Sequence, residues 1–106
     1  MKRFKQKETK LKVPSEQDKR YHIQFYGHVQ QVGFRIQAYQ IACQYDVTGW
    51  IKNATDGSVL MEIQGKTEDI KHILLKIHKI PSLTIDHMES KIISPIPEAS
   101  FKIIGY

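Results

Sequence analysis

Cysteine is almost missing from this chain: Cys43 is the only one. That excludes an intrachain disulfide and any cysteine-based metal cluster, including the paired-cysteine loop of a copper-handling domain. It suits a reducing compartment. Long apolar runs are missing too. Nothing approaches the ~20 residues that a membrane-spanning helix requires, and the N-terminus lacks the apolar core of a secretory signal. A cytoplasmic protein with no membrane partner is expected. Glycine clusters of the nucleotide-binding kind are absent. The loop GHVQQVGFR at 27–35 has Gly-Phe-Arg where a Walker loop needs Gly-Lys-Ser/Thr, and three spaced dinucleotide-type glycines do not occur.

Net charge is unevenly placed along the 106 residues. Residues 1–20 hold eight Lys or Arg against three acids, and residues 21–106 hold eight against eight. The whole excess of +5 therefore lies in the first 20 residues. That segment is poor in apolar side chains and cannot offset the entropy of ordering, so a mobile basic extension is expected. Residues 21–106 are expected to fold as one small domain with a single core.

Within that domain the apolar spacing is regular. Ile23 and Phe25 alternate in YHIQFYG, which is strand periodicity. Phe34, Ala38, Ile41, Ala42 and Tyr45 form one stripe of a helix about three turns long. VTGWIK (47–52) and SVLMEIQG (58–65) read as two strands, and the Asp-Gly in NATDG joins them as a hairpin. Thr67 is placed to cap a second helix with the stripe Ile70, Ile73, Leu74 and Ile77, stopped at Pro81. Leu83 to Ile93 is a further strand, and Phe101 to Ile104 a short last one. The order β-α-β-β-α-β with an added strand predicts an α+β, ferredoxin-like sandwich: an antiparallel sheet with both helices on one face.

The loop after the first strand is the candidate site. Gly27 and Gly33 allow unusual φ values and leave room for a ligand. Backbone N–H groups there, with the positive end of the following helix, suit an anion. Arg35 lies in the first helical turn, where its planar fork can hold two oxygens. Asn53, at the end of the second strand, is close to that loop in such a fold. Its carboxamide can accept a hydrogen bond from a water but cannot act as a base, because it does not titrate. Cys43 is expected to be a small core or boundary residue. Trp50 and Tyr26 are expected to pack in the core or on the sheet surface.

GHVQQVGFR, GWIKN (49–53) and DGSV (56–59) together resemble the acylphosphatase family, which shows Gly-x-Val-Gln-Gly-Val-x-Phe-Arg, then Gly-Trp-Val-x-Asn and Asp-Gly-x-Val. The spacing from Arg35 to Asn53 matches, and the resemblance runs over about residues 21–105. It implies hydrolysis of a carboxyl phosphate to a carboxylate and phosphate, with no metal and no cofactor. It implies that Arg35 binds phosphate, that Asn53 positions the attacking water, and that His28, Val29, Gln30, Gln31, Val32, Gly33 and Phe34 form the substrate-binding loop. Gln31 departs from the pattern, since the family usually has glycine there. If φ is positive at that position, glutamine adds strain of about 1 kcal/mol. A free-standing monomer with a small acyl phosphate as its partner is expected. The basic extension makes a ferredoxin-like nucleic-acid-binding module the alternative, although the RNP pattern of such modules is absent.

Overall fold

A computed structural model describes residues 10–105. Its elements are β1 (Asp18–His28), α1 (Phe34–Ala42), β2 (Thr48–Asn53), β3 (Val59–Lys66), α2 (Thr67–His78), β4 (Thr84–Ile93) and β5 (Phe101–Ile103). They form one sheet in the order β4-β1-β3-β2-β5 with two helices packed on it, an α+β ferredoxin-like fold. The four longer strands pair antiparallel with one another, and the three-residue β5 joins β2 in parallel, so the sheet is mixed.

Alternation explains which face is covered. Ile23 and Phe25 on β1, Ile51 on β2, and Val59, Met61 and Ile63 on β3 are all buried. They meet Phe34, Ala38 and Ala42 of α1 and Ile70, Ile73 and Ile77 of α2 in one core. Fully burying a side chain of this size contributes about 1.5–3 kcal/mol. Phe25 and Phe34 cross edge to face, with centroids 5.2 Å apart and planes at 87°. Such a pair adds ~0.5–1.5 kcal/mol. It also fixes the start of α1 against β1, one residue before Arg35.

Three expectations about local structure change. Thr67 is the first helical residue of α2 rather than its cap; Lys66 holds the cap position and makes no side-chain capping bond. Cys43 is exposed at the C-terminal end of α1 and is not a core residue. Strand β1 begins at Asp18 rather than Tyr21, so Arg20 belongs to the sheet.

Arg20 is the largest fully buried side chain described. It points to the open face of the sheet, beneath the segment 94–100 that crosses from β4 to β5. Its Nη1 donates to Glu98 Oε1 at 2.7 Å and to Gln64 Oε1 at 3.2 Å, and its Nε donates to Glu62 Oε1 at 3.0 Å. Burial pushes the Arg20 pKa down, but the hydrogen bonds and charges of Glu98 and Glu62 outweigh that and raise it. Burial likewise pushes the Glu62 carboxyl up, and hydrogen bonds from His22 and Arg20 hold it below the ordinary glutamate range. A buried charge is tolerated only when paired and fully hydrogen-bonded, and Arg20 meets that condition.

Upstream, Lys12 and Glu98 exchange backbone bonds of 2.9 and 3.1 Å. The Lys12 ammonium pairs with Asp46. Part of the basic segment therefore lies against the folded body. Residues 1–9, which carry much of its charge, fall outside the described residues. Among the described residues, no helix is long and apolar enough to cross a membrane.

On the open face Trp50 is half-buried, with the Lys52 ammonium 5.7 Å from its ring centroid. Tyr26 stacks on His87 at 5.4 Å. Both aromatics pack on the sheet surface, as expected.

Candidate active site

Backbone geometry decides what the loop after β1 can hold. Gly33 caps α1 in the left-handed region at φ 78°. The first helical bond runs from Gln37 N–H to Gly33 O at 3.1 Å. The N–H groups of Phe34, Arg35 and Ile36 therefore have no acceptor within the helix, and no side chain caps that end. The first turn of α1 contains no acid, whereas α2 carries Glu68 and Asp69 in its first turn. The positive end of the α2 dipole is offset by its own side chains, and that of α1 is left for something else.

Arg35 stands beside these free donors. Its Nη1 is buried and has no hydrogen-bond partner. Leaving such a donor unsatisfied costs about 1–3 kcal/mol, and the donor is available to a ligand. Arg35 and Asn53 line one cavity of about 90 Å³ together with Val29, Gln31, Gly33, Phe34 and Ile36. The two residues paired by spacing in the sequence thus meet in one place.

The remaining loop residues do other work. Gln30 Nε2 donates to the carbonyls of Ala54 and Ser58, both at 2.8 Å. Its side chain is consumed in tying the loop to the β2–β3 turn, so it acts by position and not by touching the cavity. The turn is itself locked. Asp56 Oδ1 accepts the Ser58 hydroxyl at 2.6 Å and the Ser58 N–H at 2.9 Å, and Gln24 Nε2 donates to Ser58 Oγ at 2.8 Å. The Ser58 hydroxyl, followed by its amide, holds the Asp56 carboxyl below the usual aspartate range. This network sets where Asn53 ends. His28 is exposed at the end of β1 and lies outside the cavity. Val32 packs against the core, and its carbonyl accepts the Ser82 hydroxyl at 3.2 Å.

Gly27 has a role the sequence did not reveal. A Cβ on it would come 2.2 Å from Thr84 O. Close approach of β4, at a bulge between Tyr26 and Gly27, requires this glycine; room for a ligand does not. Gly33 is different, since a Cβ there would meet only the Gln37 amide nitrogen at 3.4 Å. Ile36 was missed as a lining residue. Its signal was available: it is apolar, directly follows Arg35, and falls off the buried stripe of α1.

Gln31 has φ 62° and is the only described residue other than glycine with positive φ. A left-handed residue with a side chain is strained by ~1–2 kcal/mol. Gln31→Gly is accordingly expected to raise the Tm by a few degrees and to keep or raise turnover of an acyl phosphate. Thermal melts and steady-state rates of the two proteins check this, and a large loss of activity would refute the strain account.

An uncapped helix start around an unpartnered guanidinium, on a ferredoxin-like sandwich, defines a small α+β protein with a site suited to an anion such as phosphate. The acylphosphatase family model matches residues 21–103. The chain is 38% identical to an acylphosphatase of Clostridium acetobutylicum over 80% of this chain and 96% of that one. It is 34% identical to one of Thermococcus kodakarensis over 81% and 96%. The crystal structure of the Bacillus subtilis acylphosphatase superposes with a TM-score of 0.77 at 25% identity, covering 82% of this chain and 99% of that one. The chain belongs to the acylphosphatase family, and its activity is the hydrolysis of acyl phosphates. These matches favour the hydrolase over the nucleic-acid-binding module.

Proposed function

We propose that the phosphoryl group of the substrate occupies the cavity, with its oxygens held by the N–H groups that open α1 and by the fork of Arg35. Asn53 accepts a hydrogen bond from a water and aims its oxygen at phosphorus. The water oxygen–phosphorus bond forms as the bond from phosphorus to the carboxyl oxygen breaks. The bonding pair leaves with the carboxylate, and the water proton passes to the released phosphate or to solvent. The carboxylate is a good leaving group and needs no strong acid. Positioning, together with stabilisation of charge on the equatorial oxygens, then supplies most of the acceleration. No general base is required of the site, which suits an asparagine. The observation that carries this reading is the buried, unpartnered Nη1 of Arg35 in a cavity shared with Asn53.

The reading includes action without metal or cofactor, as a monomer in the cytoplasm. Phosphate release tests it, with benzoyl phosphate compared against phenyl phosphate in the presence of a chelator. Benzoyl phosphate is expected to be hydrolysed at an undiminished rate, and the phosphomonoester to be inert by comparison. Loss of activity on chelation, or equal rates on the two substrates, would overturn it.

A further inference from the structure

The cavity is small, about 90 Å³, and open to solvent on part of its boundary. On the reading given above, with phosphorus seated among the α1 amides, the acyl half extends from the phosphoryl group toward the cavity mouth. Among the residues that line the cavity, Gln31 and Ile36 are exposed. Ile36 is 58% exposed, although α1 has a buried face of Phe34, Ala38 and Ala42. One turn on, at the i+3 position, Tyr39 is 37% exposed, so the two side chains are neighbours on the helix surface. The apolar surface is thus continuous with the phosphate cavity and begins at the residue after Arg35.

We propose that Ile36, extended by Tyr39, is the surface on which the acyl group rests. The enzyme therefore prefers acyl phosphates with apolar aromatic or branched acyl groups over acetyl phosphate. The apolar acyl group covers Ile36 in the complex, and the methyl of acetyl phosphate is too short to do so. Discrimination by one methylene reaches ~10–200-fold in an enclosed pocket, and this mouth is open, so the expected contribution is smaller.

The test compares kcat/KM for benzoyl phosphate and acetyl phosphate in the wild type, Ile36→Ser and Ile36→Met. Ile36→Ser is expected to lower the benzoyl-to-acetyl ratio by about fivefold. Ile36→Met keeps apolar area and is expected to hold the ratio near the wild-type value. An unchanged ratio in Ile36→Ser, with both substrates still turned over, would overturn the acyl surface alone. A wild type that hydrolyses neither substrate would overturn the site reading beneath it. Ile36 is largely exposed, so its loss does not open the core, and circular dichroism verifies that each variant is folded.

Discussion

Replacing Arg35 with alanine is expected to lower kcat/KM for an acyl phosphate by about 10³-fold and to weaken inhibition by inorganic phosphate. The guanidinium is the one cation among the cavity residues, and in the proposed complex it faces charge that spreads over the phosphoryl oxygens as the bond breaks. Two parallel donors from a rigid fork fit that group in a way that an ammonium does not, so Arg35→Lys should recover only part of the loss. Stability should move the other way. Nη1 is buried with no partner in the free protein, and its removal relieves an unsatisfied donor. The Tm of Arg35→Ala is therefore expected to stay level or rise while activity collapses. Steady-state kinetics and a thermal melt on one preparation check both halves. A variant that loses activity and also melts much earlier would make Arg35 a structural residue first.

The features legible in the sequence were those set by local periodicity or by paired motifs. Ile23 and Phe25, and Val59, Met61 and Ile63, alternate because one sheet face meets the helices. A one-residue slip would expose all of them. The Asp-Gly turn and the spacing of Arg35 and Asn53 carried the hairpin and the shared cavity. What stayed hidden depends on partners far away in the chain. Arg20 looked like one more charge in a basic run, and its carboxylate Glu98 lies 78 positions later. Gln30 looked like a ligand residue, but its acceptors are backbone carbonyls of a turn more than 20 positions on, and carbonyls carry no sequence signature. Gly27 looked like space for substrate, and the space is filled by β4, whose pairing with β1 no local pattern reports. Gln31 was legible as a departure from a family pattern, but its strain became definite only with φ at 62°.

Asn53→Ala is expected to lower kcat by about 10²–10³-fold with little change in KM. In the proposed complex the phosphoryl group is held by the α1 amides and Arg35, which the substitution leaves in place, so ground-state binding should survive. What is lost is the alignment of the water, and alignment of a nucleophile is a transition-state contribution. The backbone of Asn53 keeps its register with Val59, and the turn bond from Ala54 N–H to Ser58 O at 2.9 Å is untouched. The fold should persist with only a small shift in Tm. Asn53→Asp separates aiming from charge. An aspartate can still accept the water's hydrogen bond, but it places a like charge beside the anion and should raise KM as well as lower kcat. If Asn53→Ala instead raises KM and leaves kcat intact, the carboxamide binds the substrate and does not aim the water. The attacking solvent would then have to be oriented by the loop amides, which are already committed to the phosphoryl oxygens.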